Sequence, residues 1–166
     1  MADVAKEAGV SRQAVYLHFP SRAELLIATT RHIDEVEDVA GQLEAVFSAE
    51  SGVERVAAFV NAWCNYIPIV HGGAKTLLSI KDTDADAAAA WQDRMTGLYK
   101  ACGQVVATLD SDGVLTADLT TAEATDVMWA TVSVGQWELL TIDRNMSQQR
   151  YLELTHRSLM ELLVAD

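Results

Sequence analysis

Residues 3–26 read DVAKEAGVSRQAVYLHFPSRAELL, which predicts two short helices joined by a tight turn. Gly9 ends the first helix, because glycine readily adopts the positive φ that a sharp turn requires. Ser11 is a favourable N-cap for the second helix, and Pro20 terminates that helix. Two helices joined in this way form a helix-turn-helix, whose second helix enters the major groove of DNA.

The second helix has two unlike faces. Val10, Val15 and Phe19 are spaced to pack against the neighbouring helices. The opposite face carries Arg12, Gln13, Tyr16 and Leu17. Arginine can pair bidentately with guanine and glutamine with adenine, so this face is suited to contacting base edges.

The pattern AxxAGVSRQxVYxHFPSRxxLL, residues 5–26, resembles the DNA-binding motif of the TetR family of transcriptional regulators. The resemblance implies that Arg12 and Gln13 reach base edges and that Tyr16, His18 and Arg22 hold phosphates. Ser11 can also donate to a phosphate, and Leu17 can touch a thymine methyl group. In the family a further helix precedes this pair and packs across both. Because the chain begins at Met1, directly before the first helix, we expect the natural protein to be longer.

Composition and charge limit the class of protein. Of the 166 residues, 50% are hydrophobic and 22% are charged, which excludes a disordered or low-complexity chain. The net charge is −12, yet residues 1–32 carry +1 and the remainder −13, so only the N-terminal head suits contact with DNA. Cys64 and Cys102 have no metal-binding or disulfide spacing and are typical of free thiols. With no leader and no membrane span, a cytoplasmic protein is expected.

The periodicity predicts an all-α fold with two parts. Residues 1–45 form the helix-turn-helix head and a linking helix after Ser21, with Asp34 and Asp38 facing outward. Residues 46–166 form a larger helical domain for effector binding and dimerisation, as the resemblance implies. Its predicted helices are Val53–Ile69, Ala74–Ile80, Ala85–Leu109, Thr121–Ile142 and Ser147–Val164, with breaks at Pro68 and Gly72-Gly73 and a capping box at Thr120 and Glu123.

The larger domain contains candidates for an effector pocket. Large aromatic, methionine and cysteine side chains on its middle helices can line an apolar cavity with a few polar groups. The candidates are Trp63, Cys64, Tyr66, Ile67, Trp91, Met95, Tyr99, Cys102, Met128, Trp129 and Trp137. A small apolar or amphipathic effector fits this lining, although each residue taken singly is more commonly ordinary core. His71 is either a polar group of the pocket or a loop residue.

The last two predicted helices each carry an apolar stripe. These stripes are Ala124, Met128, Thr131 and Gly135 on one helix, and Leu152, Thr155, Leu159 and Leu163 on the other. Such faces suit a two-fold, four-helix interface, so we expect a homodimer through these helices. A dimer supplies two recognition helices for a palindromic double-stranded DNA operator. The alternative is that both stripes pack on their own domain.

Other functions receive less support from the sequence. No catalytic, nucleotide-binding or metal-binding motif is present, so we expect no enzyme activity, no cofactor and no metal. The acidic run beginning at Asp82 lacks the glycine and the terminal glutamate of a calcium loop. The alternative function is a helical small-molecule-binding or scaffold protein without a functional DNA-binding head. A cofactor-free helical enzyme has no recognisable set of acid, base and nucleophile.

Overall fold

A computed structural model describes residues 1–165, and the regular structure in this range is helical. The helices are α1 (Ala2–Glu7), α2 (Arg12–His18), α3 (Arg22–Val36), α4 (Val39–Phe47), α5 (Gly52–Ile80), α6 (Ala85–Ser111), α7 (Thr121–Thr131), α8 (Val134–Trp137), which continues as a π-helical turn (Glu138–Asp143), and α9 (Gln148–Leu163). Within the described residues the one strand-like feature is an isolated antiparallel bridge between Leu115 and Val164. The predicted all-α fold is confirmed.

The N-terminal head follows the sequence closely. Gly9 has a φ of +66°, as the tight turn requires. The Ser11 hydroxyl accepts a hydrogen bond from the backbone N–H of Ala14 at 3.1 Å, so the predicted N-cap is confirmed. Val15 is buried, but Val10 is 48% exposed, and its predicted burial is wrong. Val10 lies in the turn before α2, outside the helical face that packs.

The linking segment contains two helices where the sequence predicted one. α3 ends at Val36, and Asp38 adopts a left-handed conformation with a φ of +48°. Its carboxylate accepts a hydrogen bond from the backbone N–H of Gly41 and caps the unpredicted α4. The predicted outward orientation of Asp34 is also wrong. Asp34 is half-buried, because the second half of α3 lies against both α5 and α6.

α5 is continuous through Pro68 and Gly72-Gly73, so both predicted breaks are wrong. A proline inside a helix leaves the carbonyl four residues earlier without its usual donor, here that of Cys64. The side-chain amide of Gln148 donates to this carbonyl at 2.8 Å, and Gln148 accepts a hydrogen bond from the Trp137 indole at 2.9 Å. A tertiary contact from α9 therefore replaces the hydrogen bond that Pro68 removes.

The predicted helix Thr121–Ile142 is interrupted after Thr131. Trp63 of α5 donates its indole N–H to the carbonyl of Val132 at 2.7 Å, and the Ser133 hydroxyl caps α8. The predicted capping box of Thr120 and Glu123 at the start of α7 is confirmed. The break is therefore stabilised by one local and one tertiary hydrogen bond.

α5, α6, α7 and α9 enclose the main hydrophobic core. Ala124, Met128, Thr155, Leu159 and Leu163 are buried inside the single chain. Most of the two stripes predicted to face a partner therefore pack on their own domain, as the alternative held. Three other large apolar side chains in this part of the chain remain exposed: Leu139, Ile142 and Leu162. No helix within residues 1–165 combines the length and the apolar character needed to cross a bilayer.

Candidate DNA interface and effector cavity

The side chains predicted to contact DNA lie on α2 and on the residues that flank it. All seven are exposed: Ser11, Arg12, Gln13, Tyr16, Leu17, His18 and Arg22. Leu17 is 78% exposed, which is unusual for leucine and leaves its side chain free for an apolar contact. Val15, on the other side of α2, holds the helix against the head. The exposed face of α2 therefore presents polar, aromatic and apolar groups outward from a packed helix.

Arg12 and Tyr16 interact across one turn of α2. The Arg12 guanidinium lies 5.4 Å from the centre of the Tyr16 ring and donates to the tyrosine hydroxyl at 3.4 Å. This hydrogen bond raises the pKa of Arg12 further above its usual value. The charged guanidinium lies on the exposed surface of α2. A guanidinium can form bidentate hydrogen bonds with guanine or a phosphate.

A cavity of about 640 Å³ lies between α3, α4, α5 and α6. Its volume is within the range of small-molecule sites. Most of its wall is apolar, including Ile27, Val39, Leu43, Phe59, Trp63, Val70, Trp91, Met95 and Leu98. The Trp63 and Tyr66 rings form a tilted pair in this wall, with their centres 5.9 Å apart. The cavity can hold a largely apolar molecule.

The structure brings together some of the predicted pocket residues and separates others. Trp63, Tyr66, Trp91 and Met95 line the cavity. The remaining candidates lie elsewhere: Cys64, Ile67, Cys102, Met128 and Trp137 are buried in the core, and Tyr99 and Trp129 pack edge to face on α6 and α7. His71 lies on α5, where it pairs with Glu138 at 2.7 Å and packs against Trp137.

The polar part of the cavity wall is a cluster of three side chains from three helices. Arg94 of α6 donates two hydrogen bonds to the Asp34 carboxylate of α3, at 2.6 and 3.3 Å. The Tyr66 hydroxyl of α5 donates to the same carboxylate. Burial raises the pKa of Tyr66, and the adjacent Asp34 charge raises it further, so the hydroxyl keeps its proton and remains a donor.

Sequence reasoning missed the contribution of α3 and α4 to the cavity. Ile27, Thr30 and Asp34 line it from α3, and Val39 and Gln42 line it from α4. Helical periodicity placed Asp34 on a solvated face, and α4 was not recognised. A break at Glu37-Asp38 was the one local signal, since aspartate is a frequent N-cap.

Within residues 1–165 no group of three or more His, Cys, Asp or Glu side chains is arranged to hold a metal ion. The two candidate functional features within residues 1–165 are the exposed face of α2 and the cavity between α3, α4, α5 and α6.

Comparison with known proteins identifies the head. The family model described as bacterial regulatory proteins, tetR family, matches residues 1–29, which contain α1, the turn, α2 and the start of α3. Residues 1–29 are therefore similar to bacterial regulatory proteins of the tetR family. No curated protein matches this chain.

Three solved structures of similar fold each match 99% of this chain. A protein described as a transcriptional regulator from Saccharomonospora viridis, in complex with choline, has a TM-score of 0.83, 17% identity and 86% of its own chain covered. A structure described as a TetR-family transcriptional regulator from Rhodococcus sp. has a TM-score of 0.71 and 17% identity, and 86% of its chain is covered. The ketosteroid transcriptional regulator KstR2 of Mycobacterium tuberculosis has a TM-score of 0.65 and 15% identity, and 84% of its chain is covered. At these identities the likeness establishes a shared fold.

Proposed function

We propose that this protein is a ligand-responsive DNA-binding transcriptional regulator, a repressor that a small-molecule effector releases from its operator. The observation that carries the proposal is the exposed face of α2, combined with the family match over residues 1–29. A regulator of this kind acts in the cytoplasm, where the bacterial chromosome lies. The proposed division is a DNA-binding part of residues 1–45 and an effector-binding and dimerisation part of residues 46–166, a boundary that falls inside α4.

Each part of the exposed face has a proposed role on DNA. Arg12 and Gln13 read base edges in the major groove, and Leu17 contacts a thymine methyl group. Tyr16, His18 and Arg22, with the Ser11 hydroxyl, contact phosphates and fix the register of the helix. The acidic remainder of the chain faces away from the duplex, because its charge of −13 would otherwise repel the phosphates.

The cavity is the proposed effector site. Trp63, Tyr66, Trp91 and Met95 belong to its wall, and the relative from Saccharomonospora viridis is in complex with choline, which supports small-molecule binding by this fold. α3 lines the cavity and also follows α2 directly, so a shift of α3 on effector binding would move the recognition helix. Because the two sites are thermodynamically coupled, operator binding must weaken effector binding by the same factor.

A homodimer is proposed through the C-terminal part of the chain. Since Leu159 and Leu163 pack internally, the interface would instead use Leu139, Ile142 and Leu162, which are 45–61% exposed. Large apolar side chains that are exposed on the single chain favour burial against a second copy. Two-fold symmetry would then match a palindromic operator.

Selection of bound DNA from a random double-stranded pool tests the function. We expect the selection to converge on a palindrome, and a labelled copy of it to shift in a gel with an affinity that falls steeply as salt rises. Arg12→Ala is the test variant. Arg150→Ala, which removes an exposed ion pair with Glu153 on α9, is the matched control.

Two outcomes would contradict the proposal. No enrichment from the pool, or equal retention of DNA by the wild-type protein and the Arg12→Ala variant, would favour a helical small-molecule-binding or scaffold protein. Loss of DNA binding in the Arg150→Ala control would show that the effect of charge removal is not specific to α2.

A further inference from the structure

The Asp34 cluster links the cavity to the helix that follows the DNA-binding pair. Among residues 1–165, Asp34 makes the only side-chain hydrogen bonds between α3 and either α5 or α6. An apolar cluster of Ala23, Leu77 and Ala87 also joins the start of α3 to these helices. Thr30, in the middle of α3, is buried and lies close to Gly73 of α5. Asp34 therefore fastens the far end of α3 to the rest of the domain.

The donors in this cluster all belong to α5 and α6, whereas the acceptor belongs to α3. Two N–H groups of Arg94 and the hydroxyl of Tyr66 converge on one carboxylate. Convergent donors with a guanidinium fork form a carboxylate-binding site. The adjoining wall is apolar and aromatic, with Trp63 beside Tyr66 and Met95 on the same helix as Arg94. Without Asp34, the site would accept a carboxylate carried by an apolar molecule.

We infer that the effector is an amphipathic carboxylate whose acid group replaces Asp34 on Arg94 and Tyr66. Asp34 then acts as an internal competitor that occupies the site in the absence of ligand. This inference rests on the proposed function, because it treats the occupant of the cavity as the effector.

Replacement of Asp34 explains how binding can be transmitted to DNA. The ligand carboxylate would be held by α5 and α6, and the apolar body would lie against Trp63 and Leu98 of the same two helices. α3 would lose its polar attachment and would be free to move with the recognition helix. A ligand shifts a conformational equilibrium only by its different affinity for the two states. Here the two affinities differ because Arg94 and Tyr66 can bind the ligand carboxylate only in the state in which Asp34 has moved away from them.

The charge around the cavity mouth also bears on the ligand class. Glu24, Asp86 and Asp93 lie at the mouth with Arg31, and all four are exposed. Exposed charges are screened beyond about 8 Å at physiological ionic strength. Arg94 is only 27% exposed and donates directly to the Asp34 carboxylate, so its charge is less screened than those of the exposed residues.

Binding of three matched probes to the full chain tests the inference by calorimetry. The probes are 4-phenylbutyrate, its neutral amide and 4-phenylbutylammonium, which share an apolar body and differ in the polar end. Removing the internal competitor by Asp34→Ala should tighten 4-phenylbutyrate binding about tenfold or more over wild type. The variant should also prefer the acid to the amide by about tenfold or more, since charge-assisted hydrogen bonds are the stronger ones.

Further variants separate the site from general loosening of the fold. Asp34→Asn keeps the shape of the side chain, and it should also bind 4-phenylbutyrate more tightly than wild type. Adding Arg94→Gln to Asp34→Ala should remove the preference for the acid over the amide. Circular dichroism checks that each variant is folded, and the Asp34→Asn result stands alone if Asp34→Ala is not.

Three results would overturn the inference. The Asp34 variants could bind the acid and the amide equally, they could prefer the ammonium probe or choline, or they could bind none of the probes. Persistence of the acid preference in the Arg94→Gln background would also overturn it. None of these measurements uses DNA. If the probes do not bind as expected but the protein binds its operator, only the carboxylate site is contradicted. If the carboxylate probe binds but no operator is bound, only the proposed regulatory function is contradicted.

Discussion

The head (residues 1–45) and the helical body (residues 46–166) differ in where their candidate functional residues lie. In the head the informative side chains are outside: Arg12, Gln13 and Leu17 are exposed around a small packed interior that includes Val15. In the body the informative feature is inside, a cavity between four helices. A surface that reads DNA needs particular residue types at particular positions, so it leaves a sequence pattern. A cavity needs only helices whose packing leaves space between them, and many sequences can produce such packing.

The largest expected effect comes from breaking the body at its core. Leu159 is fully buried among α5, α7 and α9, so Leu159→Ala should lower the free energy of unfolding by about 2–5 kcal/mol. Leu17→Ala, at an exposed site in the head, should change it by less than about 0.5 kcal/mol. Urea unfolding followed by circular dichroism measures both. Similar losses for the two leucines would show that Leu17 packs in the protein and would remove it from the DNA-contacting face.

A second variant tests the hydrogen bonds that keep α5 continuous. Gln148→Ala leaves the Cys64 carbonyl and the Trp137 indole without their partners, so it should destabilise the protein by about 1–3 kcal/mol. Gln149→Ala removes only an exposed contact with Glu153 and is the matched control. The measurement is again urea unfolding. If Gln148→Ala lowers the free energy of unfolding no more than Gln149→Ala does, the hydrogen bond from Gln148 is not what allows α5 to continue through Pro68.

The head should show loss of function without loss of stability. Arg12→Ala should cost about 1–3 kcal/mol of binding free energy at one base position of the operator. Arg22→Ala should weaken binding to all sequences alike and reduce the dependence on salt. Titrations of the selected operator and its single-base variants measure this difference. A uniform loss for Arg12→Ala would reassign Arg12 from a base contact to a phosphate contact.

The smallest expected effect is the absence of reaction at two buried thiols. Burial raises the pKa of Cys64 and of Cys102 to about 12, so neither thiol forms appreciable thiolate at pH 8 in the folded chain. We expect no reaction with a thiol-directed reagent until the protein is unfolded in urea, when both thiols should react. Rapid labelling of the native protein would show that the body opens, and would weaken the contrast with the exposed head.

Features set by residues close together in the chain were predicted correctly, whereas features set by residues far apart were not. The turn at Gly9, the N-cap at Ser11 and the capping box at Thr120 depend on residues within one helical turn, and all three were predicted. The break predicted at Pro68 was wrong, because the compensating donor comes from Gln148, 84 residues after the carbonyl that it reaches. Asp34 was misplaced for the same reason, since its partner Arg94 lies on another helix.

Sequence alone determined the two short helices of the head, the turn between them, the exposed face of α2 and the helical class of the remainder. These features rest on local backbone preferences and on the 3.6-residue period, which are properties of contiguous residues. The tertiary structure decided which helices enclose the cavity, which apolar stripes are core, and that Asp34 joins Arg94 and Tyr66. Such outcomes depend on contacts between residues far apart in the chain, because the packing of whole helices selects them.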